Sequence, residues 1–342
     1  MIGFRIAFRS ILKNRRRTAI TLAALAVGYL AITMFQGYVA DTLHGLRRAA
    51  IRGEGIGHLT IIKKGALLRS RMDEKRYTLT GAEISQITNL LQSMPEIIMF
   101  IPRLDVSGLL SNGKESVIFI GHGIDPSAYR ILKKDFVYTG QGTPISPTNA
   151  IGGLVAGDLA AAMGLKLGET AVIFSTTLDN RMNAVDMEVQ GIYNTGTRAT
   201  NDKYLILPLT LAQRLYDTDG ASRLSLLLDE KARQPAVMAR VQEALNRTGL
   251  DVEVHTWKEL SNFYTSVAGL FGMIFLFLFI IILVVAVMGV LNTMSMSVME
   301  RYREIGTMRA FGLQRGGVIR LFCIEGLLLG LIGVGIGAML AM

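Results

Sequence analysis

Three apolar stretches and one long mixed segment organise the chain. Thr18 to Ala40 is 23 residues without a charge, Leu260 to Met299 is 40, and Leu321 to Met342 is a third block broken only by Glu325. At about 1.5 Å of rise per residue, each block is long enough as a helix to cross a hydrocarbon layer of roughly 30 Å. The middle block is densest from Gly269 to Val290 and exceeds one crossing, so its helix is expected to run past the bilayer. The third is rich in glycine (Gly326, Gly330, Gly333, Gly335, Gly337), which lets helices approach closely in lipid. Ahead of the first block, Phe4, Ala7, Phe8, Ile11 and Leu12 fall at helical spacing, and Arg5, Arg9 and Lys13 are spaced by four. Residues 1–17 therefore read as an amphipathic helix on the inner leaflet. The first block is longer than a signal-peptide core of about 7–15 residues and has no small-x-small cleavage site, so it reads as an anchor.

Between the blocks the pattern changes. Residues 57–63 (GHLTIIK) read as a strand, 81–93 as a helix with Thr80 as N-cap and Glu83 three residues on, and 97–110 as a strand. Residues 223–228, 234–247 and 251–255 repeat strand, helix, strand. Two such passes predict a split α+β unit whose halves pack together. Residues 111–215 differ. Short apolar or alternating runs at 116–121, 170–175 and 186–192 are separated by turn signals such as Asn112-Gly113, Pro144, Pro147, Gly152-Gly153 and Gly168. They predict an inserted, mostly β subdomain with a short helix at 157–164.

The expected fold class is thus a membrane α-helical bundle plus an α+β extracytoplasmic domain. The expected boundaries are an amphipathic helix 1–17, span one 18–40, a first α+β half 41–110, a β insert 111–215 and a second half 216–262. Span two at 263–293, a cytoplasmic loop 294–319 and span three at 320–342 follow, with a fourth span expected beyond.

Charge orients this layout. The net charge is +9, yet residues 41–265 carry 25 basic and 24 acidic side chains. The excess lies in Arg5, Arg9, Lys13, Arg15, Arg16 and Arg17 before the first block and in Arg301, Arg303, Arg309, Arg315 and Arg320 between the second and third. That is the positive-inside pattern, placing 41–265 outside and 294–320 in the cytoplasm. A nucleic-acid partner would need its basic stripe on the folded domain, so none is expected. Half the residues are hydrophobic and the mean hydropathy is +0.38, which concentrates in the blocks and makes membrane lipid the expected surroundings.

Catalytic chemistry is absent from the pattern. His44, His58, His122 and His255 show no metal-ligand spacing, the single cysteine, Cys323, lies in an apolar block, and no G-x-x-x-x-G-K-[ST] occurs. Neither an enzyme, a metal nor a cofactor is expected. The informative stretch is Asn292 to Glu325 (NTMSMSVMERYREIGTMRAFGLQRGGVIRLFCIE). Glu300 and Glu304 are spaced i,i+4 with Arg301 between them, Arg303 and Arg309 add charge, Ile305 and Met308 share a side, and Gly306 and Gly312 permit close approach or a helix end. A short cytoplasmic helix of this kind suits docking into a partner's groove, and equally an interfacial position on lipid headgroups.

The run VMERYREIGTMRAFGL, with Glu325 in the following block, resembles the signature of FtsX-like permeases, a superfamily that includes MacB exporters and the lipoprotein-releasing LolC and LolE subunits. Leu154–Phe174 and Val189–Leu215 resemble the outer domain of the MacB and lipoprotein-releasing branch. The resemblance implies a Porter-like split βαβ unit carrying a Sabre-like insert, and an inner-membrane permease. It implies a separate cytoplasmic ABC ATPase, a second permease, identical or different, and a lipoprotein substrate or periplasmic carrier. It further implies that Glu300, Arg301, Arg303, Glu304, Gly306 and Arg309 form the ATPase-coupling helix, and that ATP-driven motion reaches the outer domain for lipoprotein release or export of a hydrophobic substrate. The alternative is an FtsX-type regulator of cell-wall hydrolases that transports nothing.

Overall fold

The computed structural model describes residues 15–70, 73–133, 140–196, 198–312 and 314–341; most of the amphipathic helix expected over 1–17 lies outside them. The chain divides into two compact units, residues 1–45 with 265–342, and residues 46–264.

In chain order, α1 (Arg15–Arg48) is followed by a π turn (Ala49–Gly53), β1 (Leu59–Lys63), α2 (Ala66–Arg69), α3 (Glu74–Tyr77) and α4 (Gly81–Leu91). Next come β2 (Ile97–Ser111), β3 (Ser116–Ile124), α5 (Pro126–Leu132), β4 (Gly140–Gly142), β5 (Gly152–Ala156), α6 (Gly157–Met163), β6 (Thr170–Thr176) and β7 (Met182–Tyr193). Then follow α7 (Arg198–Asn201), β8 (Tyr204–Pro208), α8 (Leu209–Tyr216), β9 (Arg223–Leu228), α9 (Gln234–Asn246), β10 (Val252–Thr256) and α10 (Trp257–Leu260). The last elements are α11 (Asn262–Glu300), α12 (Tyr302–Ala310) and α13 (Arg315–Leu340).

In the central unit the strands lie in the order β10-β1-β9-β2, every neighbour antiparallel. β1 and β2, joined through α4, therefore run parallel with β9 between them. β9 and β10, joined through α9, run parallel with β1 between them. Both helices cover one face, where Ile87, Leu91, Val237, Val241 and Leu245 pack on Leu59, Ile61, Leu224 and Leu226. The start of α4 is fixed by a capping box: Thr80 Oγ1 accepts from the Glu83 N–H at 3.3 Å, and Glu83 Oε2 accepts from the Thr80 N–H at 3.0 Å. β9 is buried on both sides, since Leu227 packs with Ile101 in a second core on the opposite face.

Five strands beyond this sheet close with β2 into a ring. β2 pairs β3, β3 pairs β8, β8 pairs β5, β5 pairs β7, β7 pairs β6, and β6 returns to β2. Closure pairs strand edges that would otherwise invite aggregation. The enclosed core contains Leu104, Val106, Leu110, Phe119, Ile173 and Met187, and α6 and α8 contribute Leu159, Met163, Leu211 and Leu215 to it. Glycine at 108 permits the final seam, because a Cβ there would lie 2.1 Å from the Phe174 carbonyl oxygen.

Two expectations are corrected. The division expected at residues 110 and 111 does not separate two sheets, because β2 serves both: residues 97–103 pair β9, 103–111 pair β3, and 109–111 pair β6. The Gly152-Gly153 pair does not mark a turn but opens β5, where a Cβ on Gly153 would lie 2.4 Å from Met187 Sδ.

The helical unit packs through small residues. A Cβ on Gly28 would meet Ile282 at 2.9 Å, one on Gly333 would meet Leu25 at 2.7 Å, and one on Gly337 would meet the Ala26 carbonyl at 2.8 Å. Phe35 and Tyr38 contact Phe271 edge-on, with ring centroids 6.4 and 6.2 Å apart, and Thr21 Oγ1 lies 2.7 Å from Thr293 Oγ1. Thr18–Gly53, Asn262–Glu300 and Arg315–Ala341 are long and apolar enough to cross a membrane. Helix α11 continues through residues 294–300, which were expected to begin a loop.

The burial of β9 gives a stability prediction. Leu226→Ala should cost about 2–5 kcal/mol, whereas Leu68→Ala, at a side chain 86% exposed, should stay within about 0.5 kcal/mol. Denaturant unfolding of the detergent-solubilised chain measures both, and similar losses would contradict the two-faced burial of β9.

Candidate functional site

The six residues expected to form a coupling helix fall at a break between two helices. Glu300 is the last residue of α11. Arg301 leaves helical geometry (φ −107°, ψ 17°), and its N–H is shared between the carbonyls of Ser297 and Val298, both at 3.3 Å. Glu300 and Glu304 therefore do not lie on one continuous helix, as their spacing suggested. Arg303, Glu304, Gly306 and Arg309 lie on α12, which begins as the Arg301 carbonyl accepts from the Ile305 N–H at 2.9 Å. Arg301 Nε is 4.0 Å from Glu304 Oε2, the outer limit of an ion-pair contact, and Glu304 is exposed, so the pair is worth little by itself.

Arg301, Ile305 and Met308 are half-buried along one side, and no residue of α12 is fully buried. Arg303, Glu304 and Arg309 are exposed, and nothing lies within 4 Å of where a Gly306 side chain would begin. The helix ends where the Phe311 N–H reaches the Thr307 carbonyl at 3.0 Å and Gly312 turns to φ +91°. Tyr302 and Phe311 are 75% and 93% exposed. The sequence reading passed over both, although aromatic residues inside a charged stretch are a signal for a binding surface.

A second constellation lies in the central unit, where α1 runs out. Ala50 and Ile51 of the π turn are buried with Ile56, Ile101, Tyr129, Leu132 and Trp257, and Tyr264 packs against them. Trp257 meets Tyr264 edge-on at 4.7 Å between centroids and lies beneath Arg47, whose guanidinium carbon is 5.9 Å from the ring centre. The chain thus enters and leaves the unit through one apolar cluster.

Beside that cluster sits a buried polar network. Arg103 Nε donates to Asp105 Oδ1 at 3.3 Å, its Nη2 to the Tyr204 hydroxyl at 3.2 Å, and its Nη1 to the Glu54 carbonyl. Arg223 also donates to Asp105, and His122 Nδ1 lies 3.1 Å from the Tyr204 hydroxyl. Lys133 Nζ donates to the Gly53 carbonyl at 2.5 Å. Gly53, Glu54, Arg103, His122, Lys133 and Tyr204 line a cavity of about 330 Å³ together with Tyr193, Thr195 and Thr200, while Asp105 and Arg223 lie outside its lining. Burial pushes the Asp105 carboxyl up, but Arg223 and Arg103 together hold it below the usual carboxylate range. Burial, reinforced by Arg103, lowers Lys133 to about 8 and drives His122 well below its ordinary value. Sequence reading missed this network; its one local trace is the Arg103, Asp105 spacing of two in a strand, which puts both on one face. Among the described residues no group of three histidine, cysteine or acidic side chains could hold a metal.

Residues 18–244 match the family described as MacB-like periplasmic core domain, and residues 267–342 match the FtsX-like permease C-terminal family. The chain belongs to the MacB-like ABC transporter permeases. The resemblance read from residues 154–215 and 292–325 holds at that level. The chain is 24% identical over 356 residues to the macrolide export ATP-binding/permease protein MacB of Hyphomonas neptunium, covering 97% of this chain and 52% of that protein. It is 30% identical over 164 residues to the pyoverdine export ATP-binding/permease protein PvdT of Pseudomonas aeruginosa, covering 48% of this chain and 22% of that protein. The permease thus spans about half the length, or less, of these curated relatives. The periplasmic region of MacB from Actinobacillus actinomycetemcomitans aligns with 60% of this chain and 92% of its own, at 15% identity and a TM-score of 0.45.

The buried histidines of the central unit set a pH dependence. The Leu228 N–H donates to His58 Nδ1 at 3.0 Å, so that nitrogen must stay unprotonated. Burial, with Arg47 and Arg52 nearby, lowers His58 to about 4 from 6.5. Between those values the unfolded chain binds a proton that the folded chain refuses, so stability falls as pH falls through the window. In His58→Gln the amide oxygen can accept the same N–H, and thermal unfolding of the purified permease should lose stability less steeply from pH 6.5 towards 4. An unchanged slope would remove His58 as a cause.

Proposed function

We propose that this permease is the membrane subunit of an ABC system in which a separate ATPase works on the cytoplasmic side of the inner membrane and moves an extracytoplasmic domain. The observation that carries the reading is α12: a short helix between two membrane-length apolar helices, with Arg303, Glu304, Arg309, Tyr302 and Phe311 all exposed. Charged and aromatic side chains presented together on a helix fit a groove in a partner protein. The flanking arginines orient this helix to the cytoplasm and residues 46–264 to the outside. A second permease, of the same or a different chain, completes the assembly in this reading. The interleaved four-strand sheet serves as the Porter part and the closed ring as the Sabre part. The substrate we assign is a lipoprotein or another lipid-linked, hydrophobic molecule, handed on outside the membrane rather than through a pore.

Glu304→Lys should reduce ATPase stimulation to the level of the ATPase alone, with membrane insertion and the thermal unfolding of the central unit unchanged. Nanodisc reconstitution with the partner ATPase measures this; full stimulation in the variant would remove α12 from coupling. Cysteine substituted at Thr307 should react with an impermeant maleimide only after the cytoplasmic side is opened, and labelling of intact spheroplasts would invert the topology.

A further inference from the structure

The carbonyl end of α1 is held in a way that the permease reading does not by itself require. The helix does not stop in a loop. It winds into the π turn, where the Glu54 N–H reaches the Ala49 carbonyl at 2.7 Å, the Ile56 N–H the Ala50 carbonyl at 3.3 Å, and the Gly57 N–H the Ile51 carbonyl at 3.0 Å. Gly55 and Gly57 take φ +71° and +75°, and a Cβ on Gly57 would lie 2.8 Å from the Leu226 carbonyl, so the turn is seated directly on β9. The carbonyls of Gly53 and Glu54 are taken by Lys133 Nζ and Arg103 Nη1. Cations at a helix carboxyl end also meet the negative pole of its dipole.

Where these two cations come from matters. Arg103 is the residue of β2 that pairs both Arg223 of β9 and Ile124 of β3, the point where the strand passes from the open sheet into the ring. Lys133 follows directly on α5, whose Ala128, Tyr129 and Leu132 lie in the same core as Ala50 and Ile51. One cation thus ties the turn to the strand shared by sheet and ring, and the other ties it to the helix that follows β3.

We propose that Arg103 and Lys133 are positioning residues that clamp the carbonyl end of α1, so that displacement of this helix is passed to the central unit instead of being absorbed by unwinding of the π turn. The second half of this statement rests on the permease reading; the clamp itself does not.

Hydrogen exchange of the full-length permease in nanodiscs separates the two. Without any partner, Lys133→Met should speed exchange of the Glu54, Ile56 and Gly57 amides by about three- to tenfold, the consequence of losing one modest hydrogen bond. Lys133→Arg should restore wild-type exchange, and unfolding temperatures should stay close to wild type. Unchanged exchange in Lys133→Met, or equal acceleration in Lys133→Arg, overturns the clamp. With the ATPase bound and trapped by orthovanadate, exchange in the ring strands of the wild type should differ from the ATP-free state. Lys133→Met should abolish that difference while ATP hydrolysis continues. A retained difference overturns the clamp's role in transmission. A wild type that shows none, with no stimulation of hydrolysis, overturns the permease reading instead and leaves the first comparison to judge the clamp alone.

Discussion

The last carbonyls of a helix have no partner further along it, and in α1 those carbonyls are carried into a folded core rather than left in water. A buried carbonyl without a donor costs about 1–3 kcal/mol. The π turn answers three of them with amides of the following residues, and Lys133 and Arg103 answer two more. Arg103 can be used there only because its own burial is offset. Asp105 and Tyr204 accept from its Nε and Nη2, and Arg223 shares Asp105, so that the carboxylate stays charged against two guanidinium groups. A lone buried arginine would be costly, and pairing with a carboxylate and hydrogen bonding from all three nitrogens offset that cost.

The position of Arg103 gives that network its reach. An open antiparallel sheet and a closed ring share a single strand, and the residue at the crossing is the one that holds the helix end. The apolar cluster around Trp257 does the same for the returning chain, since Trp257 Nε1 donates to Gln234 at 3.2 Å and Gln234 donates to the His58 carbonyl at 3.0 Å. His58 in turn receives the Leu228 N–H of β9. Both ends of the central unit are therefore referred to β9 and β2, which pair with each other. A substitution that loosens either strand would disturb both ends at once.

How much of this could be read in advance follows the range of the interactions. The apolar blocks, the Thr80–Glu83 capping box and the run at 223–228 are local patterns, and the structure has helices or strands there. The family likeness also rests on contiguous stretches, 292–325 and 154–215. The Arg103 network could not be read, because its partners come from residues 53, 54, 105, 122, 133, 204 and 223, and only Asp105 is near in sequence. Ring closure was hidden for the same reason: its seam joins residues 109–111 to 172–174. The break at Arg301 was missed for a different reason. The residues around it suit a continuous helix by propensity, and the departure shows in the backbone angles of one arginine and in its shared N–H.

Helix α12 remains the element whose existence the chain explains least. Nine residues are fewer than the dozen or so that an isolated helix needs in water, and none of the nine is fully buried. Its half-buried side, Arg301, Ile305 and Met308, leaves the rest of the circumference open. A helix resting on lipid headgroups immerses one apolar side and keeps its charges on the other. Here Tyr302, Arg303, Glu304 and Arg309 are all exposed on the helix, and Phe311 is exposed just past its end. In the proposed coupling role, exposure around most of the circumference suits a groove supplied by another protein better than a flat membrane surface that touches one side of the helix.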